Sequence, residues 1–148
     1  SLAVGTTSDP KVSRITIEVL ADQRHAELLC NQLRKLLPVH SVKLLRPDNS
    51  LRREMILMKV STPDTETWNR VMQVASIFRA SIIDVSPSTL TIAMIGEESK
   101  VEAIVGLVKE LGILELVRTG MVALDRGTDT IYESTKEKGE FDYGKNVL

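Results

Sequence analysis

The sequence predicts an α+β protein made of two βαββαβ units, of which the first lacks its strand 1 and helix 1. Three observations predict this fold. Residues 53–124 alternate between strand and helix periods in the order of one complete unit. A shift of 75 positions places Ile15–Leu44 on Leu90–Thr119 without a gap, and the periods agree throughout. Leu2–Gly5 matches Ile82–Val85 once a longer loop is allowed, so the first unit shows strands 2 to 4 and helix 2.

The first predicted unit continues with a strand, a helix and a strand. Apolar and polar residues alternate over Ser13–Leu20, which is typical of a half-buried strand. Asp22 is the expected N-cap of the helix, and Pro38 marks its expected end. His40–Leu45 alternates loosely and predicts another strand. The apolar stripe of the helix is expected to cover a sheet and consists of Leu28, Leu29, Leu33, Leu36 and Leu37.

The second predicted unit opens after the polar segment 46–53, where we place the domain boundary. The predicted domains are therefore 1–47 and 53–124, followed by a polar tail at 125–148. Met55–Val60 is nearly continuous hydrophobe and predicts a buried strand. Thr62 is the expected N-cap of the next helix, because Pro63 then takes its first position.

The rest of the second unit follows the same order. The stripe from Trp68 to Phe78 predicts a helix that ends at Arg79 and Ala80. Two strands joined by a Ser-Pro-Ser turn then form a hairpin at 82–95. A second helix runs from Val101 to Leu111 with Gly112 as its cap, and the fourth strand covers 113–117.

The missing strand has a structural cost. We expect strands 1 and 3 of such a unit to be adjacent and parallel, which makes strand 1 internal. Its loss would leave two strand edges unpaired, at about 1 kcal/mol or more for each desolvated backbone bond. We therefore expect that the chain is truncated, lacks an N-terminal segment, or borrows a strand from another molecule.

Composition excludes several functions. The net charge of −1 gives no field that favours nucleic acid or anionic membrane, and no apolar run reaches the roughly 20 residues of a membrane span. The only soft metal ligands are His25, Cys30 and His40, whose spacing does not favour a metal site. Ser13, Ser86 and Ser99 lack a nearby histidine or a nucleophile elbow, and glycine-rich phosphate loops are absent. We therefore predict neither a catalytic nor a metal site.

Several motifs carry a family resemblance that covers nearly everything to Gly127. They are SLAVG at 1–5, SRITIEV at 13–19, QLRKLLPVHSVKLL at 32–45, REMILMKV at 53–60, IFRASIIDVSPSTLTI at 77–92 and RTGMVALDRG at 118–127. In this order they resemble the regulatory (small) subunit of acetohydroxyacid synthase, also called acetolactate synthase.

The resemblance implies an architecture and a function. It implies an amino-acid-binding ACT domain followed by a second ferredoxin-like, ACT-like domain, with homodimerisation through the first. It also implies a non-catalytic subunit that activates the catalytic subunit and imposes feedback by a branched-chain amino acid, usually valine. Thiamine diphosphate, magnesium and FAD would belong to that partner. The implied location is the cytoplasm in bacteria, and the plastid or mitochondrion in eukaryotes.

The resemblance also implies site residues. Most of the family's effector contacts come from a loop that would precede Ser1, so only Ser1, Leu2 and Val4 carry over. The matching loop of the second unit, Val60–Asp64, has no glycine, and Pro63 removes an amide donor, so we expect it to bind no amino acid.

The RTG segment of the family signature has two open interpretations. Arg118, Thr119 and Gly120, together with Arg79, contact the catalytic subunit, or Gly120 only permits a backbone bend. Arg52 and Arg53 either extend a basic patch with them or are separate solvated charges.

Other interpretations also stay open. The chain is a stand-alone ACT-type sensing module that regulates another enzyme or a transcription factor, or an enzyme on a ferredoxin-like scaffold. The aromatic residues of the tail either dock on a partner or belong to a floppy terminus, and they are Tyr132, Phe141 and Tyr143.

Overall fold

A computed structural model describes residues 1–132 of the chain, so Phe141 and Tyr143 lie outside the described residues. The strands are β1 (Leu2–Thr6), β2 (Ser13–Ile17), β3 (Ser50–Ser61), β4 (Ser81–Ser86), β5 (Thr89–Gly96), β6 (Ile113–Arg118) and β7 (Val122–Asp125). The helices are α1 (Gln23–Leu33), α2 (Thr65–Phe78) and α3 (Glu98–Lys109), with a 3₁₀ turn at Pro47–Asn49.

The described residues divide into two compact units. The sheet unit comprises Ser1–Ile17 and Arg52–Val122, and the helix unit comprises Glu18–Leu51 with residues 123–132. This division groups the β1–β2 hairpin with residues 52–122. The domain boundaries drawn from the sequence stay predictions.

The main sheet has the strand order β4-β5-β3-β6, and β7 also pairs with β3. Met58 of the central strand β3 lies opposite Ile92 of β5 and opposite Leu116 of β6, and both pairings are antiparallel. The prediction that strands 1 and 3 of the unit are parallel was therefore wrong, although they are adjacent. The tight turn after β4 reverses the chain, so β5 runs antiparallel to β4 and enters the sheet antiparallel to β3 as well.

The core of the sheet unit lies between one face of this sheet and the helices α2 and α3. Alternate residues of β3 and β5 point to that face, because side chains in a strand alternate between its two sides. The core residues are Ile56, Met58, Val60, Leu90, Ile92, Met94, Val71, Val101, Ile104 and Val108. Burial of each large apolar side chain of this kind contributes about 1.5–3 kcal/mol to the free energy of folding.

Both ends of α2 are set by local hydrogen bonds. Asp64, not Thr62, is the N-cap, because its Oδ1 accepts the amide of Thr67 at 2.7 Å. Thr62 lies two residues earlier, and its amide donates to the carbonyl of Ser88 at 2.8 Å. At the other end, Arg79 adopts a left-handed conformation with φ 54° and ends the helix where the sequence predicts.

The second sheet of the sheet unit is the antiparallel β1–β2 hairpin. Leu2 pairs with Ile17 and Val4 with Ile15, so all four side chains lie on one face of the hairpin. All four are exposed, whereas Ala3 on the opposite face is buried. The β2 strand ends at Ile17, three residues before the predicted end.

The helix unit is built around α1, and Asp22 caps it as predicted. Asp22 Oδ1 accepts the amide of His25 at 2.8 Å. The helix ends at Leu33, before the predicted stop at Pro38. Moved by 75 positions, α1 falls on residues 98–108, within one residue of α3, so the predicted repeat holds for this helix.

Two predictions for the helix unit were wrong. Residues 40–45 form neither helix nor strand. Four of the five leucines of the predicted stripe are exposed, up to 88% at Leu37, and Cys30 is the one buried residue of α1. The reason is common to both: without a strand at 40–45, the helix lacks the sheet edge that it was expected to cover.

Side-chain contacts hold the residues after β7 in the helix unit. Lys43 Nζ lies 2.6 Å from the carboxylate of Asp125, and Ser41 Oγ donates to the carbonyl of Ile131 at 3.2 Å. The amide of Arg126 also donates to the carbonyl of Asn49 at 3.0 Å. Within residues 1–132, no helix is both long enough and apolar enough to span a membrane.

Candidate functional site

The two sets of predicted site residues meet within the sheet unit. Ser1 Oγ accepts a hydrogen bond from the amide of Met121 at 3.3 Å. A methyl group added to Gly120 would lie 3.0 Å from the carbonyl oxygen of Leu2. The edge strand predicted to meet the effector therefore touches the segment predicted to meet the catalytic subunit.

The segment Arg118–Met121, here called the RTG turn, leaves the sheet in a fixed direction because Thr119 binds β3 twice. The amide of Thr119 donates to the carbonyl of Met55 at 3.0 Å, and Thr119 Oγ1 accepts the amide of Met55 at 3.0 Å. Gly120 then has φ +81°, a conformation that disfavours a side chain. The predicted backbone bend at Gly120 is thus present.

Arg118 points toward the helix-covered side of the sheet, where two carboxylates bind it. Its Nη2 donates to Glu54 Oε1 at 2.9 Å and also to Glu102 Oε1. Glu54 is only 6% exposed, so its charge needs a partner. The hydrogen bonds to Glu102 and Glu54 raise the pKa of Arg118 above its ordinary range. Arg118 therefore joins β6, β3 and α3, and it is not an unopposed cation.

Arg53, which belongs to the predicted basic patch, also pairs with a carboxylate. Arg53 Nη1 donates to Glu97 Oε1 at 2.8 Å, and this pair is exposed. The backbone of Arg79 donates to the carbonyl of Ser76 at 3.1 Å at the end of α2. Contact of Arg79 and Arg118 with a catalytic subunit stays a prediction.

The predicted effector edge lies open on the hairpin. Leu2 and Val4 present their side chains on one face, with more than half of each exposed. Their role in effector binding stays a prediction. β1 presents these apolar side chains to solvent, and its backbone is paired with β2.

The corresponding loop of the main sheet has different chemistry. Asp64 occupies the start of α2, and hydrogen bonds from Thr67 lower the pKa of this carboxyl. A carboxylate already bound there disfavours the carboxylate of an amino acid at the same helix end. The hydroxyl of Thr62 is buried and has no hydrogen-bond partner among the described residues.

The described residues contain no group of three or more histidine, cysteine, aspartate or glutamate side chains able to hold a metal ion. His25 instead pairs through Nδ1 with Asp22 Oδ2 at 2.8 Å, beside the N-cap of α1. Cys30 is buried. The pKa of Asp22 is lowered, chiefly by the hydrogen bond from the His25 amide.

Sequence reasoning missed three residues of this region. Glu54 has the same strand parity as Ile56 and Met58, and this signal marks it as a buried acid that needs a basic partner. Met121 is 4% exposed and is the last residue of the RTG turn, yet no periodic pattern includes it. Glu102 lies on a predicted helix, and no motif marks it as a partner of Arg118.

These features define an α+β protein with antiparallel sheets, in which β1 touches the RTG turn. Comparison with known families gives a more specific result. Residues 53–127 match the family model described as the small subunit of acetolactate synthase. The chain belongs to the acetolactate synthase small-subunit family, and the resemblance of its motifs is confirmed. This family comprises regulatory subunits of an enzyme of branched-chain amino-acid biosynthesis.

Individual relatives agree with this result. The chain is 41% identical over 125 residues to the acetolactate synthase small subunit of Aquifex aeolicus, covering 84% of this chain and 65% of that protein. It is 37% identical over 131 residues to the probable acetolactate synthase small subunit of Methanothermobacter thermautotrophicus, covering 88% and 78%. The crystal structure of the acetolactate synthase small subunit from Thermotoga maritima is similar with a TM-score of 0.77 and 37% identity, covering 87% and 80%.

Proposed function

We propose that this chain is a non-catalytic regulatory subunit of a thiamine-diphosphate-dependent acetohydroxyacid synthase. It binds and activates the catalytic subunit and confers feedback inhibition by a branched-chain amino acid, which we take to be valine. Family membership is the observation that carries the proposal. In this proposal the catalytic partner carries thiamine diphosphate, magnesium and FAD.

The fold supports a division of labour between the two halves. The order β4-β5-β3-β6 with α2 and α3 on one face suits a ferredoxin-like unit at 53–124. We assign residues 1–47 to a partial ACT domain through which the protein dimerises. The exposed apolar residues of the β1–β2 hairpin support this assignment, because an isolated two-stranded sheet is marginally stable in water.

Regulation requires a ligand that prefers one of two arrangements of the protein. In this proposal the effector binds at Ser1, Leu2 and Val4, and the catalytic subunit is contacted at Arg79 and the RTG turn. Valine then inhibits because its affinity differs between the activating and non-activating arrangements. We place the protein in the cytoplasm, with its partner enzyme.

The proposal is tested with the full-length protein and the purified catalytic subunit. We expect added protein to raise synthase activity to a plateau, and valine to reverse that rise. A serum albumin control excludes nonspecific stabilisation. A full-length protein that neither binds nor stimulates the catalytic subunit contradicts the proposal. Valine binding without stimulation favours a stand-alone sensing module for another enzyme or a transcription factor.

A further inference from the structure

We propose that the contact of Ser1 and Leu2 with Gly120 and Met121 transmits effector occupancy to the surface that meets the catalytic subunit. This inference rests on the proposed function and adds the route by which regulation travels. Both sides of the contact lie within the sheet unit.

The contact joins two successive residues at the start of the chain to two successive residues of the RTG turn. The carbonyl oxygen of Leu2 lies so close to Gly120 that an added methyl group would approach it to 3.0 Å. The amide of Met121, in a residue that is 4% exposed, donates to Ser1 Oγ at 3.3 Å. A shift of β1 away from the turn would leave this buried amide short of an acceptor, which is unfavourable.

The other side of the RTG turn is fixed to the main sheet. Thr119 makes two hydrogen bonds with Met55, and Arg118 is bound by Glu54 and Glu102. The turn therefore has little freedom to follow β1 passively. When β1 moves, either the contact at 120–121 breaks or the RTG turn moves with β1. Coupling between two sites requires two discrete arrangements of this kind.

If Gly120 has only a structural role, Gly120→Ala acts through backbone strain at its positive φ and not through the contact with Leu2. Another glycine with a positive φ then serves as a control for that strain. Gly127 has φ +70° and no heavy atom within 4 Å of an added methyl group. Gly127→Ala therefore carries the same kind of backbone strain without the close contact.

The test measures coupling directly. Valine affinity is determined by titration calorimetry for the full-length protein alone and in complex with the catalytic subunit. In the wild-type protein we expect the two affinities to differ by about fivefold or more, as is typical of allosteric coupling. The ratio compares two affinities of the same variant, so a change in the intrinsic affinity of either site cancels.

We expect Ser1→Ala and Gly120→Ala to bring this ratio to within about twofold of one, since a net hydrogen bond is worth a few-fold in an equilibrium. Gly127→Ala should keep the wild-type ratio. Circular dichroism checks folding, and Ser1→Ala carries the test alone if Gly120→Ala does not fold.

The outcomes separate the two proposals. A wild-type ratio in both folded variants, or an equal loss in Gly127→Ala, overturns the inference and leaves the proposed function standing. A wild-type protein that binds valine and stimulates the synthase without any difference in affinity also overturns it. A wild-type protein that neither binds nor stimulates the catalytic subunit overturns the proposed function, and the inference with it.

Discussion

The guanidinium of Arg118 lies 2.9 Å from the carboxylate of Glu54, which has almost no exposure to solvent. The two residues sit on neighbouring strands, β6 and β3, and both face the helix-covered side of the sheet. A charge in this position is tolerated only when it is paired. The family signature RTG therefore begins with a residue that the fold itself requires.

Replacing Arg118 with methionine should destabilise the protein by about 2 kcal/mol, because Glu54 is left buried without its partner. The estimate lies below that for a fully buried pair, since the Arg118 side chain is 36% exposed. Urea denaturation followed by circular dichroism measures the change. Arg53→Met breaks the exposed pair with Glu97 and should cost less than about 1 kcal/mol. Equal losses in the two variants would contradict this structural role.

Two isoleucines of β5 offer a matched test of the core. Ile92 is 0% exposed beneath the helices, whereas Ile95 is 64% exposed. We expect Ile92→Ala to lower the free energy of unfolding by about 2–5 kcal/mol, since it removes buried surface and leaves a cavity. Ile95→Ala should cost less than about 1 kcal/mol. If the two losses proved similar in denaturation experiments, the assignment of the buried face would be wrong.

Asp64 should make the free energy of unfolding depend on pH. Its folded-state pKa lies below the ordinary value of 3.8, because the carboxylate accepts hydrogen bonds from Thr67. The folded state therefore keeps Asp64 ionised at a pH where the unfolded chain is protonated. This contribution is fully present above the ordinary pKa and is lost as the pH falls through the lowered folded-state value.

The comparison of wild type with Asp64→Asn isolates that contribution, because asparagine also caps helices well. We expect the wild type to be more stable at neutral pH and the difference to shrink as the pH falls below 3.8. Thermal melts over a pH series measure it. Asp22→Asn should show the same trend at α1, since the pKa of Asp22 is also lowered. A difference independent of pH would refute the assigned ionisation.

In the helix unit, Lys43→Met should loosen the residues that follow β7. The ion pair of Lys43 with Asp125 is largely shielded, and the same lysine donates to the carbonyl of Thr130 at 3.4 Å. We expect faster amide exchange at 125–131, read by mass spectrometry. Lys35→Met alters an exposed lysine and should leave exchange there unchanged. Unaltered exchange in Lys43→Met would show that other contacts suffice.

Local periodicity predicted much of this fold. The strands and helices between Met55 and Val117 occur in the predicted order, and the apolar stripes of β3, β5, α2 and α3 supply the buried core. The failed strand at 40–45 depends on a distant partner strand, which no local pattern reveals. The choice of Asp64 over Thr62 as the cap depended on which oxygen reaches the amide of Thr67.

The sequence identified several residues of the candidate site, but it did not indicate which of them touch. Ser1, Leu2 and Gly120 were identified from the family motifs, yet nothing in their spacing indicates that β1 touches the RTG turn. Each of these contacts involves a backbone group of Leu2, Gly120 or Met121, and backbone groups leave no pattern in the sequence. Met121 was missed for the same reason, because it contributes a buried amide rather than a recognisable side chain.

The central position of β3 also sets an order for synthesis on the ribosome. Met58 pairs on one side with Ile92 and on the other with Leu116, so its second edge stays open until the nascent chain has grown past that residue. During that interval an apolar strand with an unpaired edge is available to other chains. Translation pauses or truncations between 96 and 113 should therefore favour aggregation, because β6 has not yet covered the second edge at Met58.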